Sequence, residues 1–366
     1  MPITSPTPER ILVVCNGFIG DTVLGIPFFR NLRRRFPQAV IDVLIEPGAA
    51  ASVLVHCPYM NELVAWPRPP RSQRPLPAAL ASILGQAAWL RSRGYDRVYL
   101  FKRSFSSAML VWLAGIPWRV GHRSEGRGGL LSRAVGTHRG RHQAESYLDL
   151  LRCDGIEVDD GHNENWVSDQ DRAMLDSLLV DVPVGRPKVF LAVRSTNREK
   201  HWPLDRWAAV IDWLVTTRGC EVFFCGGPAD VVTHGEIVSR FDPCVAGHVH
   251  DHSSSVPLRR VGSLLTRMDL CMGIDSGLPH MAASHGVPVV VLFGPTDPEQ
   301  WHPWKTASEV VQAEQAATQA KRSMRDIGVE QVTAAATRLL DDKARRGEAV
   351  RSRTVPLRRM CDGAVA

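Results

Sequence analysis

The chain has eight cysteines in 366 residues but no C-x-x-C pair. Cys15, Cys220, Cys225 and Cys271 sit inside apolar, strand-like runs, so the pattern argues against a disulfide framework or a zinc site and fits a reducing cytoplasm. The start reads unlike a signal peptide: Met1 to Arg10 carries proline and charge before a short apolar run, without the basic start and longer apolar stretch expected of a secreted precursor. No run is long enough to cross a bilayer. Pro75 to Leu90 and Ser104 to Trp118 are uncharged over most of their length, but both fall short of the roughly 20 residues a span needs, which leaves only surface contact with a membrane open. The G-x-G-x-x-G spacing of a nicotinamide-dinucleotide turn is also lacking after the first strand. No basic stripe with interleaved aromatics is present either, which argues against nucleic acid as a partner.

With 44% hydrophobic residues, a chain of this length can build two domains with full cores. Lys and Arg number 44 against 38 Asp and Glu, a net charge of +6, with Arg well ahead of Lys. That balance suits an anionic partner such as phosphate, acidic glycan, nucleic acid or an anionic membrane face, and sign alone does not choose among them.

In the first half, strand-like runs at Ile11 to Cys15, Ile41 to Ile45 and Val98 to Phe101 alternate with helical stretches at Asp21 to Phe36, Leu76 to Arg93 and Phe105 to Ala114. A second set follows, with strands at Val189 to Val193, Glu221 to Cys225, Leu270 to Gly273 and Val287 to Phe293, and helices near Leu204 to Thr217, Ala229 to Phe241, Leu258 to Arg267 and Leu278 to Ser284. Both halves read as βαβ units of a parallel sheet, giving an α/β fold of two Rossmann-like domains. Residues 1–175 form the expected first domain and 186–342 the second, with Val180 to Pro187 as linker. Residues 343–366 form a basic tail, expected to be mobile. Arg123 to Arg141 reads as a loop whose Arg123, Arg127, Arg133, Arg139 and Arg141 could grip an anionic acceptor, or simply face water.

Two segments carry candidate chemistry. In Met272 to Trp304, a buried strand ends in Asp275, and Ser276-Gly277 opens a helix whose first amides have no intrahelical partner. Such a start attracts a phosphate through backbone N–H groups and the positive end of the helix dipole. Near the N-terminus, strand, Gly-containing turn and helix place Asp21 at the crevice beyond the carboxyl end of the strand. In isolation both acids read equally well as helix caps.

Taken together, I-L-V-V-C-N-G-F-I-G-D-T-V-L-G-I-P, R-S-T-N-R-E-K-H-W-P, F-F-C-G-G-P-A-D, and G-I-D-S-G-L-P-H with V-P-V-V-V-L-F-G-P-T-D-P resemble the ADP-heptose:lipopolysaccharide heptosyltransferases of glycosyltransferase family 9. Their order and spacing match from about residue 10 to 342, with a further matching segment at Met324 to Val332. The resemblance implies a GT-B architecture, two Rossmann-like domains facing a central cleft, the first holding the acceptor and the second the nucleotide sugar. It also implies an inverting transfer with no metal and no cofactor. The implied partners are a nucleotide sugar, ADP-heptose, and a lipid-linked or core oligosaccharide acceptor, met at the inner face of the inner membrane.

Residue by residue, Asp21 matches the general base that takes the acceptor hydroxyl proton. Ser195, Thr196 and Lys200 match the phosphate-binding hydroxyls and lysine; an ammonium can stabilise the leaving diphosphate. Asp230 matches a carboxylate on the ribose, where family members often carry the longer Glu. Asp275 matches the acid beside the sugar hydroxyls, and Ser276 and Gly277 the diphosphate contacts. Val256 falls where the backbone meets the base, although ordinary packing accounts for it as well. His280 fits either a structural hydrogen bond or a ligand contact, while Trp202 and Trp301 read as packing. The chain departs from the family at Asn16-Gly17, at Val193-Arg194 and at Ile274 before D-S-G, positions that touch the sugar and acceptor environment. Two other classes remain open at this stage: a nucleotide-sugar epimerase of the same fold, and a non-catalytic nucleotide-sugar-binding protein.

Overall fold

The computed structural model describes residues 9–65, 76–253, 255–314 and 322–353. Among the described residues, twelve strands form two six-stranded sheets. The first holds β1 (Arg10–Val14), β2 (Val40–Ile45), β3 (Glu62–Ala65), β4 (Arg97–Leu100), β5 (Trp118–His122) and β6 (Arg133–Val135) in the order 3-2-1-4-5-6. The second holds β7 (Lys188–Ala192), β8 (Glu221–Phe224), β9 (Val249–Asp251), β10 (Leu270–Ile274), β11 (Val289–Phe293) and β12 (Ser308–Gln312), in the order 12-11-10-7-8-9. Read from the other edge, the second order repeats the first, and all ten pairings are parallel. The central strands are apolar on both faces because helices cover both sides of a parallel sheet. Ile11, Leu12 and Val13 are fully buried, as are Val189, Phe190 and Leu191.

The doubly wound α/β architecture and its two parallel units match expectation, and the differences have local causes. The stretch expected as one helix from Asp21 to Phe36 is two helices, Ile19–Leu24 and Ile26–Arg35. Pro27 has no N–H to continue the first helix, and at Gly25 a Cβ would stand 2.6 Å from the Phe101 ring. The short strands β3, β5, β6, β9 and β12 carry polar residues and little alternation, so periodicity missed them. The expected Arg-rich loop contains β6 and a 3₁₀ turn, Arg127–Leu130.

Arg127 is fully buried and donates to the carbonyl oxygens of His122, Lys102 and Ser104. Burial lowers its guanidinium to about 10, and it holds the loop together rather than offering a hand to an acceptor. Arg141 is engaged by Asp149 and Glu145, and Arg133 lies over the Trp118 ring.

The first unit's expected end, residue 175, falls inside a helix, Asp169–Leu178. That helix pairs across to the second half through Asp171 with Arg260 at 2.9 Å and Asp176 with Arg267 at 3.0 Å. Beyond it, Val180 and Val184 of the expected linker are exposed. The final helix runs Val329–Arg353, past the expected start of the tail at residue 343; residues 354–366 of that tail lie outside the described residues, as do residues 1–8. Among the described residues, no helix is long and apolar enough to cross a membrane.

Candidate functional site

The two units meet where the helix Ile19–Leu24, after β1, packs on the helix Gly277–Ser284, after β10. Contact is close enough that a Cβ on Gly277 would stand 2.5 Å from the Ile19 Cβ. Glycine is needed there because backbone and side chain of the opposing helix leave no room. Beside this junction opens a cavity of about 920 Å³. Its walls come from the segments that follow β1, β7, β8 and β10, at the point in each sheet where strand order reverses. In open α/β sheets that is where ligands bind.

The ten residues matched to the family's site all line this cavity: Asp21, Ser195, Thr196, Lys200, Asp230, Val256, Asp275, Ser276, Gly277 and His280. They lie up to 259 positions apart in sequence, yet the parallel topology delivers each to the same end of its sheet.

On the first-unit wall, the Asp21 Oδ1 accepts from the Tyr147 hydroxyl at 2.6 Å and from the Asn16 amide at 2.9 Å; that amide also donates to the Tyr147 oxygen at 3.0 Å. Burial raises the Asp21 carboxyl above the ordinary carboxylate range; the two hydrogen bonds and the charges of His280 and Arg103 oppose that rise without cancelling it. A carboxylate with a raised pKa is a better proton acceptor than one in water. Both hydrogen bonds reach one oxygen, Oδ1.

The second-unit wall carries opposite charge. Lys200 Nζ lies 2.7 Å from Asp275 Oδ2 and also donates to the Asp275 carbonyl at 3.2 Å. Burial pushes the Asp275 carboxyl up, but His280 and Lys200 more than offset it, so the group stays below its usual range and ionised. His280 Nε2 stands 3.9 Å from Asp275 Oδ1, too long for a hydrogen bond, so its effect is one of proximity. At the start of the Gly277–Ser284 helix, the Ser276 side chain makes no cap hydrogen bond. The Ser276 Oγ and the His280 Nδ1 are both buried without a partner. An uncapped helix start leaves its first amides free to donate to a ligand with oxygen acceptors.

The remaining candidates are placed less simply. Ser195 Oγ donates to the Asn197 carbonyl at 2.9 Å and accepts from the Asn197 N–H, shaping the turn after β7; Thr196 is exposed on it. Asp230 has both oxygens engaged: Oδ2 accepts from the Gly227 N–H at 2.8 Å, capping its helix, and Oδ1 pairs with Arg194 at 3.2 Å. Val256 is buried, and its carbonyl receives only a weak thiol contact from Cys225 at 3.9 Å. Trp202 packs as expected, buried and donating to the Ile327 carbonyl, and Trp301 packs against the core as expected while also bordering the cavity.

Sequence reasoning missed Tyr147 and Arg103. Tyr147 lies 126 residues from Asp21 on a helix that carries no motif, so only the fold could pair them. A prediction follows from the hydrogen bonds. Tyr147→Phe or Asn16→Leu removes a donor that favours the ionised Asp21. The carboxyl is then expected to titrate still higher, by about one pH unit for a hydrogen bond to a charged group. The acid limb of the kcat/KM profile should move up by that amount, which a pH–rate series measures.

Two parallel α/β units whose strand-carboxyl edges share one cleft form the GT-B architecture. The chain belongs to glycosyltransferase family 9 (heptosyltransferase), whose model matches residues 84–328. It is 28% identical over 312 residues to lipopolysaccharide heptosyltransferase 2 of Escherichia coli strain K12, covering 82% of this chain and 87% of that protein. In fold it is similar to the glycosyl transferase family 9 protein from Veillonella parvula DSM 2008, with a TM-score of 0.77 at 21% identity, covering 91% and 97% of the two chains. It is likewise similar to the E. coli ADP-heptose lps heptosyltransferase II, with a TM-score of 0.74 at 24% identity over 92% and 99%. The protein is therefore a glycosyltransferase.

Proposed function

We propose that this glycosyltransferase moves heptose from ADP-heptose to a lipid-linked or core oligosaccharide of lipopolysaccharide, inverting the anomeric centre without a metal, at the cytoplasmic face of the inner membrane. The reading is supported above all by one juxtaposition: a hydrogen-bonded carboxylate, Asp21, on the first-unit wall of the cavity that holds Lys200 and the open helix start at Ser276-Gly277 on the second. The similarity to lipopolysaccharide heptosyltransferase 2 supports the choice of sugar and acceptor.

In the proposed step, the acceptor hydroxyl attacks the anomeric carbon while Asp21 takes its proton. A new C–O glycosidic bond forms as the bond from that carbon to the diphosphate oxygen breaks, and ADP leaves with the electron pair. Lys200, the Ser195 and Thr196 hydroxyls and the amides at Ser276 and Gly277 stabilise the charge that develops on the diphosphate. Asp275 accepts from the sugar hydroxyls, held ionised by Lys200. His280 contributes its unpartnered ring nitrogen to the same region. Asp230 faces the ribose once Arg194 yields, and the Val256 backbone meets the base. Residues 1–175 serve the acceptor and 186–342 the donor.

Thermal shift tests the donor assignment, because a ligand that binds only the folded form raises its melting temperature with occupancy. ADP should raise the midpoint clearly more than UDP or GDP. An equal or larger shift with UDP would overturn the nucleotide assignment.

A further inference from the structure

Helices buried in a domain usually show one apolar stripe, but the two that cover one face of the first sheet, Leu76–Ser92 and Phe105–Leu113, are apolar almost all round. The second reads F-S-S-A-M-L-V-W-L and has no charged residue. Its inner face, Ser107, Ala108, Leu110 and Val111, is buried. The outer face carries Phe105 and Trp112 at helical spacing, 44% and 50% exposed, with Met109 partly exposed between them. The neighbouring helix turns Leu84, 57% exposed, to solvent together with Ala81, Gly85 and Ala88. Large apolar side chains gathered on packed helices in this way mark a contact surface rather than chance exposure.

Charge identifies what covers it. From Leu76 to Ser124 the sequence carries seven Lys and Arg against a single acid, Asp96; Arg93, Arg97 and Lys102 pair with Glu62, Asp154 and Glu46 outside that stretch, so the surplus comes from the other four. Asp96 lies at the far end of the sheet, where it receives the Glu9 and Arg10 amides. Two of the basic groups border the helix Phe105–Leu113 at its C-terminal end and are held by carbonyls, which leave their charge uncompensated. Arg91 donates to Leu113, and Arg119 to Ile116 and Leu130. Exposed Arg123 lies towards the other end, where Glu125 is the one acid, accepting from the Phe105 N–H. An apolar stripe with Trp and Phe, rimmed by arginine, suits the interface of an anionic membrane: the rings enter the headgroup boundary while the guanidinium groups meet phosphates.

We infer that the outer face of helices Leu76–Ser92 and Phe105–Leu113 docks this glycosyltransferase on an anionic lipid surface. The second helix starts just after β4, next to Arg103, whose charge acts on Asp21. Docking therefore brings the acceptor side of the cleft to the membrane. The inference rests on the proposed lipid-linked acceptor for its purpose, though the binding itself does not depend on it.

Co-sedimentation with vesicles tests it, using equal parts phosphatidylcholine and phosphatidylglycerol against phosphatidylcholine alone. The full-length protein should pellet with the anionic vesicles and much less with the neutral ones. The combined variant Leu84→Ser, Phe105→Ser, Trp112→Ser should bind the anionic vesicles about tenfold more weakly, since affinity scales with buried apolar area. A second variant, Arg123→Glu, alters only an exposed side chain and should weaken binding to anionic vesicles alone. The ADP-induced thermal shift should stay unchanged in both, so failure of the donor assignment would be seen separately, as a missing shift in the parent. Absence of vesicle binding by the parent, or undiminished binding by both variants, would overturn the inference. So would a parent that ignores vesicles but self-associates in sedimentation velocity through a contact the triple variant abolishes.

Discussion

Replacing Asp21 by asparagine is expected to lower kcat by about 10²–10⁴-fold, the usual contribution of a general base, while leaving donor affinity and fold intact. The substitution keeps the shape of the side chain and its contact with Tyr147, and removes only the ability to take a proton. Stability should respond in the opposite direction. Because burial raises the folded-state pKa of Asp21 above its ordinary value, protonation favours the folded form, and this contribution is fully present only below the unfolded pKa of about 3.9. It is lost as pH rises through the folded pKa, so at neutral pH the ionised group costs stability. Asparagine has no such cost, and the melting temperature at pH 7 should be equal to or above that of the parent. A variant both inactive and strongly destabilised would point to a structural acid instead. Steady-state kinetics and a melting curve on the same sample separate the two outcomes.

Lys200→Met should damage both function and stability. The Asp275 side chain is 6% exposed and Lys200 21%, with 2.7 Å between them. Removing the ammonium strands a buried carboxylate, which costs about 3–5 kcal/mol in fully buried pairs, and the partial exposure of Lys200 places this one near the lower figure, about 3 kcal/mol. In the parent, the depressed pKa of Asp275 means the pair stabilises the fold above the ordinary aspartate pKa and loses that contribution as pH falls through the folded value. The variant should lose most of this dependence, so its deficit should be largest near neutral pH and shrink in acid. In catalysis, one missing electrostatic donor to the leaving group costs about 10²–10³-fold in kcat. Denaturant unfolding at pH 7 and at a pH well below the ordinary aspartate value of about 3.9 measures the first effect, and kcat at saturating donor the second.

Much of this was legible in the sequence because parallel α/β sheets write themselves plainly. Central strands such as Ile11 to Val14 and Val289 to Phe293 are buried on both faces and read as unbroken apolar runs. Ligand sites in such sheets lie beyond the carboxyl ends of the strands, so Asp21 and Asp275 could be named as candidates without coordinates. Edge strands were lost for the converse reason: β9 reads V-H-D and β6 R-A-V, too short and polar to show a period. Long-range partners were lost because spacing holds no information about them. Tyr147 against Asp21 and Arg194 against Asp230 exist only once separate crossovers are folded together. Arg127 misled for a related reason. Arginine in a Gly-rich stretch reads as a solvent-facing hand until the loop is seen to close over it, with carbonyl oxygens at its guanidinium.

Acceptor-dependent release of ADP is the most direct test of the central claim that one cleft joins a proton-accepting wall to a diphosphate-binding wall. The purified protein, given ADP-heptose and heptose-free lipopolysaccharide, is expected to release one ADP for each heptose gained by the acceptor, and to leave ADP-heptose unchanged when acceptor is omitted. Conversion of ADP-heptose to an isomer without acceptor, or ADP release by Asp21→Asn as fast as by the parent, would contradict it.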